Sequence, residues 1–264
     1  MCSFYDFNKS LIFIENNEYR FKYLGNLYYI IEIFNEKEVF ECFEISNRFN
    51  FFDEFILNIN NSIVSFYNNK KFVLLKKCNG KFINNIKISN SIYLSWKNIF
   101  IDNSYYFESI YNDVINDDLL GYYDYYMYLL ELSILYLNNY KNYTGIGYLT
   151  HKKYDSDNYC NPLNIKIDFL ERDFGEYLKY VFMNKEYYYL NLDEIINEKY
   201  YYMNYDLVLS RLLYPNYFFE LLENKNYYGI KKLNERIFEF ENYLKMIVFI
   251  IKKNHNIRII DYFY

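Results

Sequence analysis

At 264 residues the chain suffices for one large domain or two lobes, and its formal net charge of -5 excludes a general nucleic-acid binder, whose phosphate contacts need a basic face. With 37 Tyr, 25 Phe, abundant Asn, Ile and Lys, and neither Ala nor Gln, the composition bears the mark of an AT-rich genome, so aromatic runs such as Tyr200, Tyr201 and Tyr202 are read as packing residues. Cys2, Cys42, Cys78 and Cys160 show no C-x-x-C spacing and follow no secretory leader, which predicts reduced thiols in a cytoplasmic protein, and the apolar run "MIVFII" at 246–251 is far too short to span a bilayer.

The first hundred residues read as strands joined by turns. "YRFKY" runs to Gly25, "LYYIIEIF" follows, and "NSIVSFY" and "KFVLLKKC" flank Asn68 and Asn69, a pattern that predicts an antiparallel hairpin. Between these pairs, "EKEVFECFEISNRF" sets Val39, Phe40, Phe43 and Ile45 among charges at roughly helical spacing, so one helix is expected to pack on a small sheet. Asn79-Gly80 breaks the next strand and places a hinge at 76–82. A small N-terminal α+β lobe is therefore expected over 1–80 and a helical C-terminal lobe over 81–264.

From Gly121 the spacing of Tyr122, Tyr126, Leu129, Leu130, Ser133 and Leu137 predicts a long helix, closed by Asn138-Asn139 and "NYTGIG". After a strand-and-loop patch, helices are expected at about 173–183, 190–198, 204–213, 216–224 and 231–254, with Pro215 ending or bending the one that carries Leu207, Leu209 and Leu212. The last helix presents Leu233, Ile237, Phe240, Leu244, Ile247 or Val248, and Ile251 on one face. Phe238, Phe249 and Ile250 widen that stripe, so either two sides are buried or a protein partner docks there. No internal repeat and no Pro- or Ser-rich linker interrupts the chain.

Residues 151–177, "HKKYDSDNYCNPLNIKIDFLERDFGEY", place a histidine, an Asn-rich loop, an apolar strand ending in Asp-Phe, and Arg-Asp ahead of a helix in one order. With "LSRLLYPNYFFELLE" further on, this order resembles the aminoglycoside-phosphotransferase-like kinases, and among them the spore-coat kinase-like group of CotS and YutH type. The resemblance runs from Gly121 to the C-terminus by motif order and covers the first lobe by strand pattern only. It implies an α+β, protein-kinase-like two-lobed fold with a small antiparallel-sheet N-lobe and a mainly helical C-lobe.

Phosphoryl transfer requires a carboxylate for the attacking hydroxyl, oxygen ligands for magnesium, and cations or amides on the phosphates. By the resemblance, His151 matches a loop histidine that packs and orients. Lys153 falls on the aspartate that acts as base, and an ammonium with an ordinary pKa of about 10.4 cannot accept a proton at neutral pH. Asn158 has the spacing of the magnesium-ligating asparagine, with Asn161 or Asn164 in its place if the loop is rearranged. Asp168 matches the metal-binding aspartate at a strand end. Taken alone, these asparagines read as turn residues and Asp168 as a cap.

Asp173, after Arg172, matches the aspartate that braces the catalytic loop, and it also reads as the N-cap of a helix over 174–182 with Glu176 in the capping-box position. Asp155 or Asp157 is the candidate to replace the missing base. In the first lobe "LYYIIEIF" holds Glu32 where a phosphate-pairing lysine is expected, and Lys76 and Lys77, one strand away, are expected to face solvent. No G-x-S-x-G, H-E-x-x-H or C-x-x-C supports another chemistry. His255 is expected to be exposed, and Cys160 with His151 is a pair by count only.

Three functions follow. One is a kinase-like protein without catalysis, a pseudokinase, for which no cofactor is assigned and which serves in binding or assembly as a relative of spore-coat proteins. The second is an ATP-dependent small-molecule phosphotransferase, its base at Asp155 or Asp157 and its Mg2+ on Asp168 with Asn158 or Asn164. The third is a helical interaction protein whose first half is unrelated to a kinase lobe.

Overall fold

Alternation in the first third of the chain builds a single antiparallel sheet from β1 (Ile12–Glu15), β2 (Glu18–Tyr23), β3 (Asn26–Ile33), β4 (Glu54–Ile56), β5 (Ser65–Tyr67) and β6 (Lys70–Lys76), with α1 (Glu36–Ser46) inserted after β3. The computed structural model describes residues 5, 12–15, 18–78, 85–114, 120–154, 159–255 and 257. Strand order is β1-β2-β3-β6-β4, and β5 pairs with the other half of β6. The β2–β3 turn uses Leu24 and Gly25 and the β5–β6 turn uses Asn68 and Asn69, all four at positive φ (46°, 78°, 49° and 61°), as a two-residue hairpin turn of matching twist requires. Phe72, Val73, Leu74 and Leu75 of β6 are all buried, which marks a strand covered on both faces. Asn35 caps α1 by accepting from the Glu38 N–H at 3.3 Å. The hinge expected around Asn79-Gly80 falls largely outside the described residues.

The chain forms two compact units, one of residues 1–86 with 155–166 and one of 87–154 with 167–264. The second unit opens with β7 (Lys87–Tyr93) and α2 (Trp96–Val114), a helix that the sequence reading passes over. The expected long helix follows as α3 (Leu120–Tyr136). Then come β8 (Thr144–His151), β9 (Ile165–Asp168), which pairs with β8 in a sheet of order β7-β8-β9, and α4 (Leu170–Met183). The expected helix at 190–198 is α5 (Leu192–Glu194) continued by a wider turn over Ile195–Lys199. Next are α6 (Tyr205–Leu213), ended by Tyr214-Pro215 as expected, and α7 (Asn216–Glu223).

The single helix expected over 231–254 is two, α8 (Tyr227–Asn234) and α9 (Ile237–Asn254). Arg236 stands at the break, where its guanidinium donates to the Phe182 and Met183 carbonyls at 2.8 and 3.0 Å, satisfying the open end of α4. On α9, Leu244, Ile247, Val248, Ile250 and Ile251 are buried, whereas Phe238 and Phe249 are 76% and 71% exposed. His255 is not in open solvent: its ring lies 4.4 Å from that of Tyr205, and burial lowers its pKa. Cys42, Cys78 and Cys160 form no disulfide.

Helix α6 packs tightly on α4 at Gly175. A Cβ there would lie 2.7 Å from Arg211 Cβ, 2.9 Å from its Cγ and 3.2 Å from the Val208 carbonyl. Gly175→Ala is therefore expected to force the two helices apart and lower stability by about 1–3 kcal/mol, measured by urea unfolding. An unchanged midpoint would show that the contact relaxes freely.

Candidate functional site

The ends of β8 and β9 and the first turn of α4 bring His151, Asp168, Arg172 and Asp173 together. His151, fully buried, donates its backbone N–H to Asp173 Oδ1 at 2.5 Å, and its Nδ1 lies 3.0 Å from Asp173 Oδ2. Arg172 donates from Nε to the His151 carbonyl at 2.9 Å and from its terminal nitrogens to the Lys152 carbonyl and Asp168 Oδ2, both at 3.3 Å. One guanidinium thus ties the loop after β8 to the carboxylate that ends β9. Its burial, with the neighbouring Arg211 charge, pulls the Arg172 pKa down to about 10, although Asp168, Glu176 and Asp173 oppose the fall.

Asp168 is 5% exposed. Its Oδ1 accepts from the Trp96 indole N–H at 2.8 Å and from the Phe169 backbone N–H at 2.9 Å, while Oδ2 faces Arg172. Asp173 does not cap a helix beginning at 174: α4 starts at Leu170, its N-cap is Phe169, and Asp173 turns inside the first turn toward His151. Asp173 thus holds the end of β8, and the expected capping box with Glu176 does not form.

Glu176 lies deeper, wholly buried, one turn along α4. Arg211 Nε donates to its Oε1 at 2.6 Å and Lys179 Nζ to the same oxygen at 3.2 Å. Burial by itself would raise the Glu176 pKa, but Arg211, Lys179 and Arg172 override it and hold the carboxyl down at about 2. Lys179 is pushed down to about 7 by burial, against the pull of Glu176. It also donates to the Tyr214 carbonyl at 2.8 Å and Asn216 Oδ1 at 2.7 Å. Sequence reasoning missed this network, although Glu176 and Lys179 stand at the i, i+3 spacing of a helical ion pair.

Lys153, which the motif resemblance sets on the base position, forms an ion pair with Glu220 of α7 and lies 5.8 Å over the Tyr217 ring. Both partners are more than 40% exposed, so the pair is worth at most about 1 kcal/mol. Asp155, Asp157 and Asn158 lie outside the described residues. Asn164 belongs to the first unit, where it closes the turn Pro162–Asn164 and donates its N–H to the Asn161 carbonyl at 3.0 Å. Asn161 accepts from the Leu163 N–H, a turn role. Among the described residues no group of three or more His, Cys, Asp or Glu is placed to hold a metal ion, and no helix is long and apolar enough to cross a membrane.

Within the first unit Glu32 pairs with Lys70 at 2.7 Å near the surface. Lys76 and Lys77 are only one-third exposed, 3.5 Å from Glu54 and Asp53 respectively, which corrects the expectation that they simply face solvent. Asp53, 1% exposed, accepts from the Tyr29 hydroxyl and from the Cys78 N–H at 2.8 Å, and donates its own N–H to the Cys160 carbonyl at 2.9 Å. It pins the returning 159–166 segment to the sheet, and sequence carries no signal for it.

No family model and no curated protein matches the chain. Solved structures do. An aminoglycoside phosphotransferase from Alicyclobacillus acidocaldarius aligns with a TM-score of 0.53 at 10% identity, over 96% of this chain and 94% of that one. A thermostable mutant of the aminoglycoside phosphotransferase APH(4)-Ia in apo form gives 0.58 at 9%, over 87% and 92%. Spectinomycin phosphotransferase APH(9)-Ia, in complex with ADP and spectinomycin, gives 0.51 at 11%, over 88% and 90%. At such identities the likeness establishes the fold: α+β and protein-kinase-like, with an antiparallel-sheet N-lobe and a mainly helical C-lobe. A first half unrelated to a kinase lobe is thereby excluded.

Proposed function

We propose that the chain is a kinase-shaped protein that has left phosphoryl transfer and serves in binding or assembly, on the pattern of the spore-coat kinase-like proteins its motifs resemble. The observation that carries this reading is the engagement of Asp168. A magnesium ligand must turn oxygen lone pairs to the cation, whereas these oxygens accept an indole N–H and a backbone amide and face a guanidinium at 3.3 Å. A divalent ion at that carboxylate would be repelled by Arg172. The described residues therefore do not fit the metal as the family uses it, and Lys153 at the base position points the same way. The exposed Phe238 and Phe249 of α9 are the surface through which a protein partner would bind, and the net charge of -5 disfavours nucleic acid. The setting is cytoplasmic, with spore association resting on the resemblance.

The second reading is an active ATP-dependent phosphotransferase with its base displaced to Asp155 or Asp157 and magnesium on Asp168 with Asn158 or Asn164. The fold likeness to a phosphotransferase solved with ADP favours it. Thermal unfolding with millimolar Mg2+ and ATP separates the two. A nucleotide at a hundred times its Kd adds about 2.7 kcal/mol, several degrees for a chain of this size, and the expected result is no shift. A clear rise in Tm, or transfer of labelled phosphate from ATP to an aminoglycoside, would replace the first reading by the second.

Lys153→Asp restores a carboxylate at the base position. Under the first reading it gains no transferase activity in the same assay, because Asp168 stays committed to Trp96 and Arg172. Measurable turnover would show that the base alone was missing.

A further inference from the structure

We propose that the exposed face of α9 is a self-association surface, on which a second copy of this chain docks antiparallel about a twofold axis. The inference rests on the binding reading above and names its partner. Helix α9 buries Tyr243, Leu244, Ile247, Ile250 and Ile251 on one side. At about 100° per residue the opposite side carries Phe238, Asn242, Lys245 and Phe249, all four exposed. Their 4-3-4 spacing is that of a coiled-coil seam, here turned away from the core of its own chain. Two rings, 76% and 71% exposed, therefore share one outward stripe with two polar residues between them.

The order of residues along the stripe selects the partner. Phe238 and Phe249 stand roughly 16 Å apart along the axis, and Asn242 and Lys245 roughly 4.5 Å apart, at about 1.5 Å per residue. Both pairs are centred on the same point, midway between Tyr243 and Leu244. A twofold axis through that point sets Phe238 on the partner's Phe249 and Asn242 on the partner's Lys245 in a single register, each pairing made twice. The two ends are then aromatic pairs that leave water. In the middle, the Lys245 ammonium donates to the amide oxygen of the partner's Asn242, and Glu241, next to that asparagine in sequence, adds charge of the complementary sign.

Other occupants fit the stripe less well. An unrelated apolar groove would strip Lys245 of water without offering an acceptor. A lipid surface asks for a broad apolar face, whereas here the two rings are separated by an amide and an ammonium. A second copy supplies a ring for each ring and an acceptor for each ammonium. The apolar content is two rings from each chain, so the interface is small, below about 1,200 Å², and the dimer is weak, with a Kd on the order of 100 µM.

The test is sedimentation equilibrium of the full chain from about 5 to about 500 µM, over which wild type should pass from monomer toward dimer. Phe238→Asp and Phe249→Asp should each weaken association at least about tenfold. Both should keep the wild-type circular dichroism and Tm at low micromolar protein, where wild type is a monomer too. Phe238→Lys and Phe249→Glu test the register. Each alone should stay monomeric, whereas their equimolar mixture should associate, because antiparallel pairing sets the new ammonium on the new carboxylate and keeps one Phe–Phe pair. The proposal is overturned if wild type is monomeric throughout, if either Asp variant dimerises as well as wild type, or if the mixture associates no better than its components. Nucleotide-dependent stabilisation is a separate measurement, so failure of this inference and failure of the reading that phosphoryl transfer is lost are told apart.

Discussion

Replacing Glu176 with Gln is expected to lower stability by about 3–5 kcal/mol at neutral pH, the usual cost of removing one partner from a buried ion pair. The substitution keeps the volume, so no cavity contributes. What changes is that Arg211 and Lys179, 5% exposed each, lose the carboxylate between them. The pH dependence gives a second reading of the same residue. With a folded pKa of about 2, below the unfolded value of about 4.3, Glu176 contributes stability that is fully present above pH 4.3 and lost as pH falls toward 2. That contribution amounts to about 3 kcal/mol. Urea unfolding of wild type and Glu176→Gln from pH 7 to pH 2 should show two curves that converge at the acid end. Parallel curves would mean that the carboxylate is not held ionised by its neighbours.

Leu244→Asp is expected to abolish folding. Leu244 is 1% exposed in the helical core, so the change removes a buried side chain, at about 2–5 kcal/mol, and places a carboxylate where it has no partner. Set against a total stability of about 5–15 kcal/mol, little would remain. Phe249→Asp, on the same helix but 71% exposed, is the control and should alter stability by no more than about 0.5 kcal/mol. Circular dichroism and limited proteolysis distinguish the outcomes. A folded monomeric Leu244→Asp protein would show that this stripe is a partner surface and not core.

The elements that were legible in the sequence are those whose causes are local. Asn68-Asn69 between two apolar runs predicts its hairpin because both residues tolerate positive φ, and the two strands do pair across it. Pro215 ends α6 because it has no N–H to continue the helix. Helix α2 went unread although Trp96, Phe100 and Phe107 are buried along it while Tyr105 and Tyr106 are exposed. The α8–α9 break escaped for a physical reason. Apolar periodicity runs straight through Arg236, and only the open carbonyls of α4 give that residue cause to leave the helix.

By itself the sequence determined the α+β kinase-like order of elements and the succession His151, Asp168, Arg172, Asp173. It also determined that a lysine, Lys153, stands two residues after His151. Each depends on residue identity and short spacing, which the chain states directly. Tertiary structure alone decided what those groups do. Trp96 reaches Asp168 across 72 positions, Lys153 meets Glu220 across 67, and Arg211 meets Glu176 across 35. Whether a carboxylate is open to a metal or closed by an indole and a guanidinium depends on which helices pack beside it. That packing is set by summed burial over the whole core, which no short stretch of sequence encodes.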